Sequence, residues 1–226
     1  MTTIVHCAAL NPGPGRRDDD FFEVNAEGTR RLVAACEASG VRRFVHVSSM
    51  GVKSASAYGR SKLAAEDSVR RSRLEWLILR PAQVIGPNDD LRRIFEKMQR
   101  RIVWSLLASG RTRLHIVYVG DCARAIVDAA LSARARETLN IIGPEYSEVE
   151  YFRAVRKVAG SKLLFVPKPW FRLRRRQLPP DARAAVGLRT PGVADWPLAA
   201  TPLETALRES YQALVQVRGG EAKAAG

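Results

Sequence analysis

Three short apolar runs, at residues 4–9, 44–47 and 74–79, alternate with segments whose apolar residues recur at helical spacing, and this alternation constrains the fold most. Between residues 19 and 39, Phe22, Leu32, Val33 and Cys36 fall on helical spacing and Gly40 supplies a stop. Between residues 58 and 72, Leu63, Ala64, Ala65 and Val69 offer a second packing face. Strand, helix, strand, helix, strand predicts a parallel sheet with right-handed crossovers and helices on both faces. The first run ends in Ala8 and Ala9, small residues suited to the close approach of a ligand. Further on, the pattern predicts helices near 91–101, 121–132 and 148–160 and strands near 115–119 and 139–142. Thr201-Pro202-Leu203-Glu204 reads as the start of a last helix, with Thr201 as N-cap and Glu204 as its capping-box partner.

A chain of 226 residues can bury a substantial core as one large α/β domain or as a domain with a small lobe. No apolar run approaches the roughly 20 residues needed to span a bilayer. Met1-Thr2-Thr3 lacks the basic start of a secretory signal, so a soluble, cytoplasmic protein is expected. Cys7, Cys36 and Cys122 form an odd set without Cys-x-x-Cys spacing, and His6, His46 and His115 are scattered. Core packing in a reducing compartment is the expectation, and no metal site is expected.

The net charge of +14 is concentrated: eleven Arg and Lys residues between positions 153 and 189 face the single acid Asp181. Three readings compete: a solvated basic surface, a site for a phosphate-bearing substrate, or a patch for an anionic membrane or nucleic acid. Trp170 and Phe171, followed by Arg172, Arg174, Arg175 and Arg176, suit either peripheral membrane contact or a lid over a phosphate-bearing substrate.

The residues with the strongest chemical signal are Ser48-Ser49, at the end of the second strand, and Tyr58 and Lys62 on the next helix. Four residues apart, Tyr58 and Lys62 share one helix face, and an ammonium near a phenol favours the phenolate. Such a phenol can serve as a general acid or base, with Ser49 bonding the same substrate oxygen. A Tyr-x-x-x-Lys spacing alone is commonly a surface pair. Its position after a strand ending in Ser-Ser and before one ending in Arg80-Pro81 gives it weight.

These landmarks continue in order: Val24-Asn25-Ala26-Glu27-Gly28-Thr29, Gly86-Pro87, Val117-Tyr118-Val119-Gly120-Asp121 and residues 201–204. Over nearly its whole length the chain resembles the extended short-chain dehydrogenase/reductase family, the NAD-dependent epimerase/dehydratase group. The resemblance implies an N-terminally truncated Rossmann-like, doubly wound parallel sheet, with the Gly-rich turn and the adenosine-reading residue upstream of Met1. Residues 1–160 would form a partial NAD(P)-binding domain, 161–218 a small basic substrate lobe, and 219–226 a disordered tail.

By the same resemblance Tyr58 is the acid/base, Lys62 tunes it and holds the nicotinamide ribose, and Ser49, rather than Ser48, orients the substrate. Ala8 and Ala9 would line NAD or NADP, Asn25 would bond near its ribose, Pro81 would pass the nicotinamide, and Gln83 would face substrate. The implied activity moves hydride to or from a hydroxyl-bearing carbon, with a sugar nucleotide as the first substrate class and a homodimer as one assembly. Only eight residues separate Ser49 from Tyr58, which is more like isomerase/reductase-type members and relatives of a respiratory complex I accessory subunit. The alternative is a catalytically incompetent relative that engages a membrane or an assembly partner.

Overall fold

The computed structural model describes residues 2–100, 103–106, 113–162, 164–167 and 192–224. The first elements are β1 (Thr3–His6), α1 (Asp18–Phe21), a π-helical turn (Phe22–Glu27) and α2 (Gly28–Ala38). They are followed by β2 (Arg43–Val47), a 3-10 turn (Met50–Lys53), α3 (Ala57–Arg70), β3 (Glu75–Pro81) and β4 (Gln83–Ile85). Next come α4 (Asp89–Arg100), β5 (Val103–Leu106), β6 (Arg113–Tyr118), α5 (Val119–Leu131), β7 (Glu137–Ile141) and β8 (Glu145–Ser147). The chain continues with α6 (Glu148–Val158), β9 (Leu164–Pro167) and α7 (Leu203–Ala224).

Two compact units interleave along the sequence. The first comprises Met1–Ala82, Cys122–Ile142 and the described part of Leu178–Leu198. The second comprises Gln83–Asp121, Gly143–Gln177 and Ala199–Gly226, again in their described parts. The chain crosses between the two units several times. Strand pairing is the reason, because β7 lies far from β3 in sequence yet completes its hydrogen bonding.

In the first unit the expected parallel sheet is present, four strands in the order β1-β2-β3-β7 with every pairing parallel. Its middle strands are buried along nearly their whole length, as strands covered on both faces must be. Val33 and Cys36 of α2 and Val69 of α3 pack on Phe44, Trp76 and Ile78 of the sheet. The helix expected over 19–39 is observed as α1, the π turn and α2 in succession. The wider turn shows in the Gly28 N–H, which donates to Glu23 O, five residues back. At the end of α5 and just past it, buried Arg43 of β2 donates through Nη2 to the carbonyls of Ala129 (3.0 Å) and Arg134 (2.6 Å), which ties the strand to the helix end.

In the second unit β4 and β6 pair in parallel and β8 adds to β6 antiparallel, while β5 and β9 form a separate parallel pair. The strand expected near 115–119 thus belongs to a small separate sheet. Ile85, Phe95, Ile116, Tyr151, Val155 and Leu207 from β4, α4, β6, α6 and α7 share one core. Gly143 is obligatory here, since a Cβ would stand 1.8 Å from Ile116 O. Helix α6 begins with a capping box in which the Glu150 N–H donates to Ser147 Oγ (3.2 Å) and the Ser147 N–H to Glu150 Oε2 (2.6 Å).

Two expectations at the chain's end are corrected. Thr201 does not cap α7: its N–H and hydroxyl both donate to the Asp121 carboxylate, at 2.7 Å each. Glu204 accepts from Lys157 instead of closing a capping box. The ionised carboxylate makes a strong acceptor for the Thr201 N–H and hydroxyl. The first helical hydrogen bond of α7 runs from the Ala206 N–H to Pro202 O, and the helix continues to Ala224. The Glu221-Ala222-Lys223-Ala224 segment consists of strong helix formers. The basic cluster of residues 170–176, with the rest of residues 168–191 of the proposed lobe, lies outside the described residues.

Candidate active site

Helix α3 is built to hold its first turn tightly against the 3-10 turn before it. Ser56 caps it by accepting from the Gly59 N–H at 3.0 Å. Gly59 is needed for the contact itself: a Cβ there would stand 2.6 Å from Gly51 O, Ser54 O and Ser54 Oγ. This close approach fixes Tyr58, whose ring also meets Phe21 edge-on at 6.1 Å between centroids.

Ser49 and Tyr58 both border the space beside Gly51. A Cβ on Gly51 would lie 3.2 Å from Ser49 Oγ and 3.3 Å from Tyr58 Cε1, so the glycine keeps open the gap between hydroxyl and phenol ring. The two adjacent serines are used differently. Ser48 is buried and donates to Glu66 Oε1 at 2.6 Å. Ser49 is half-buried, and its Oγ accepts from the Gly51 N–H at 3.0 Å, which leaves its proton for another acceptor.

One turn beyond Tyr58, Lys62 is 2 % exposed and donates from Nζ to Val47 O at 2.9 Å. Burial presses its ammonium down to about 8, partly offset by the negative charge of Glu66 and the influence of Cys7. Beneath it lie two histidines stacked at 5.3 Å, His6 and His46. Burial and then the Lys62 charge lower His6. Burial, followed by Lys62, His6 and Arg70, holds His46 well below the ordinary imidazole range. Both His46 ring nitrogens lack a hydrogen-bond partner among the described residues.

Asn25 sits on the π turn with both functions of its amide engaged. Its Oδ1 accepts from the Leu10 N–H (2.7 Å), and its Nδ2 donates to Leu10 O (3.1 Å) and Ser61 Oγ (3.1 Å). Asn25 thereby anchors the loop that follows Ala8 and Ala9. Thr29 donates to Asn25 O at 2.6 Å and so accepts from His6 Nε2 at 2.9 Å, which places the His6 proton on Nε2. Pro81 is buried at the end of β3, opposite Ile141. Gln83 is exposed and belongs to the second unit.

Sequence reasoning missed Glu66. It is fully buried and accepts from Arg80 Nε (2.8 Å) and Nη2 (2.6 Å), from Arg70 Nη2 (2.5 Å) and from Ser48. Burial alone would raise its pKa, but the hydrogen bonds from Arg80 and Ser48 and the charges of Arg80 and Arg70 outweigh burial and lower it. The available signal was a glutamate four residues after Lys62 and eight after Tyr58, on the same helix face.

A model of the family described as "NAD dependent epimerase/dehydratase family" matches residues 1–141. The chain belongs to that family. Among its relatives is the NADH dehydrogenase [ubiquinone] 1 alpha subcomplex subunit 9, mitochondrial, of Mus musculus, 31% identical over 158 residues, covering 68% of this chain and 41% of the relative. A ceramide reductase of Caulobacter vibrioides is 31% identical over 172 residues, covering 73% of this chain and 53% of the relative. The chain spans about half the length of these curated relatives. A UDP-glucuronic acid 4-epimerase from Bacillus cereus, solved in complex with NAD, shares the fold with a TM-score of 0.71 at 21% identity, over 95% of this chain and 74% of that one.

The donor set suits the nicotinamide side of the family's cofactor. The C-terminal ends of β1 and β2 carry the exposed small residue Ala8, the half-buried Ala9 and the Ser49 hydroxyl, with a buried ammonium at Lys62. Among the described residues no helix is long and apolar enough to cross a membrane, and no group of His, Cys, Asp and Glu could hold a metal ion.

Proposed function

We propose that this chain carries the acid/base half of an NAD(P)-dependent oxidoreductase or epimerase site acting at a hydroxyl-bearing carbon. The observation that carries the reading is the convergence of Ser49 Oγ and the Tyr58 ring on the space beside Gly51, with buried Lys62 one turn away. The cofactor, when bound, takes up or returns the hydride of that carbon. Ser49 donates its free proton to the substrate oxygen and fixes its direction. Tyr58 removes or returns the proton of the same oxygen. Lys62, held by Val47 O, favours the phenolate by its charge. Ala8 and Ala9 leave a small surface on which the nicotinamide side can rest.

Sugar nucleotides are the first substrate class, and the similarity to a ceramide reductase makes long-chain hydroxy or keto compounds the second to screen. Calorimetric titration of the chain with NADH and NADPH is the first test, and micromolar binding is expected. In a preparation that turns over, Tyr58→Phe should keep cofactor binding and lower kcat by about 10² or more. Unchanged turnover would refute the assignment of Tyr58. The similarity to a subunit of NADH dehydrogenase supports a second reading, an assembly role without turnover. It predicts cofactor binding with no product from either substrate class.

A further inference from the structure

Helical spacing alone puts Phe22 in register with Val33 and Cys36, since the eleven residues from Phe22 to Val33 make about three turns at 3.6 residues each. The fold buries its neighbour instead: Phe21 is 7 % exposed and Phe22 36 %. The π turn over Phe22–Glu27 explains the exchange, because a wider turn takes up an extra residue and shifts the positions before it by one relative to α2. Phe21, Asn25, Thr29 and Val33 are accordingly all buried, at a spacing of four. In an unbroken α-helix residues so spaced would drift round the axis by about 40° a step.

The ring that Phe21 meets is that of Tyr58, at 6.1 Å between centroids and 76° between planes, an edge-on pairing of the kind aromatic rings favour. Asn25, four residues on, ties the same segment to the same turn of α3. Its Nδ2 donates to Ser61 Oγ (3.1 Å), which in turn donates to Tyr58 O (2.8 Å). These bonds and the contacts of Gly59 fix the backbone of Tyr58, whereas rotation of the ring about its side-chain bonds is restrained by what touches the ring itself. Gly51, beside Cε1 on the Ser49 side, offers it no side chain. Phe21 offers a full aromatic ring held in the interior. We propose that Phe21 is a positioning residue, turned inward by the π turn, that holds the Tyr58 ring toward the space it shares with Ser49. The proposal rests on the acid/base reading above for its functional meaning, but not for its test.

The test follows the Tyr58 ring directly, by carbon-13 NMR relaxation of the whole chain carrying tyrosine labelled at ring Cε, with Tyr58→Phe assigning the resonance. In the parent protein a fixed ring is expected, with an order parameter of about 0.85. In Phe21→Leu, which keeps an apolar side chain and loses the ring, it should fall below about 0.6. Phe22→Leu, the same change one position along, should leave it at the parent value. An unmoved order parameter in folded Phe21→Leu, or an equal fall in Phe22→Leu, overturns the proposal. Should Phe21→Leu fail to fold, Phe21→Met, whose flexible side chain fills irregular gaps, takes its place and must show the same fall. None of these readings needs turnover. Where turnover is measurable, Phe21→Leu should lower kcat by up to about 10²-fold with KM little changed, the mark of a misplaced catalytic group rather than of lost binding. A loosened ring with an unmoved kcat would refute the acid/base reading of Tyr58 and leave the positioning contact standing.

Discussion

Tyr58 and Lys62 were legible from their spacing because a helix of 3.6 residues per turn puts positions four apart on one face whatever surrounds it. Glu66 obeys the same spacing, yet a glutamate on a helix ordinarily reads as solvated. Its burial depends on Arg80, fourteen positions away on another element. Asn25 shows the opposite case: the residue was singled out, but its amide is turned to Leu10 and Ser61. At this scale the sharpest structural prediction concerns Gly59. In Gly59→Ala a methyl would meet three oxygens at 2.6 Å, two of them backbone, so the turn must move. Overpacking of this kind costs about 1–3 kcal/mol, to be read from the urea midpoint. Turnover should fall with it, because Tyr58 is the adjacent residue. Gly51→Ala, with tighter but tolerable contacts at 3.2 and 3.3 Å, should spare stability and lower activity, since its methyl enters the gap between Ser49 and Tyr58.

The existence of most elements followed from apolar periodicity, and their ends fell within a few residues of the expected positions. What periodicity could not supply was the π turn at Phe22–Glu27 and the true start of α7. Both depend on partners remote in sequence. Leu10 and Ser61 engage the Asn25 amide, and Asp121 draws Thr201 away from capping. The second case gives a prediction for the attachment of α7. Asp121→Ala removes the acceptor of two hydrogen bonds, each worth about 1.5–3 kcal/mol to a charged group, and should destabilise the unit by about 2 kcal/mol or more. Thr201→Val, which loses the hydroxyl and keeps the N–H, should cost less. Hydrogen exchange of the α7 amides distinguishes the two: protection should fall strongly in the first variant and modestly in the second.

For the molecule as a whole, the buried His46 ties stability to pH. Its folded pKa lies well below 6.5, so between the two values the unfolded chain binds a proton that the folded chain refuses. Stability is therefore present above about pH 6.5 and is lost as pH falls toward the folded value; His6 adds in the same direction. Denaturant midpoints should fall between about pH 7.5 and pH 5.5 in the parent and change less in His46→Leu, which cannot take up the proton. A parallel fall in both would overturn the assignment to His46. The sequence by itself determined the alternation of strand and helix, the parallel sheet and the placing of Tyr58 and Lys62 one turn apart on one helix. Each of these rests on local periodicity and on spacing along a single element. The interleaving of the two units, the separate sheet of β6 and the buried Glu66–Arg80 ion pair were decided by tertiary structure, because strand pairing and buried ion pairs join residues that the chain keeps far apart.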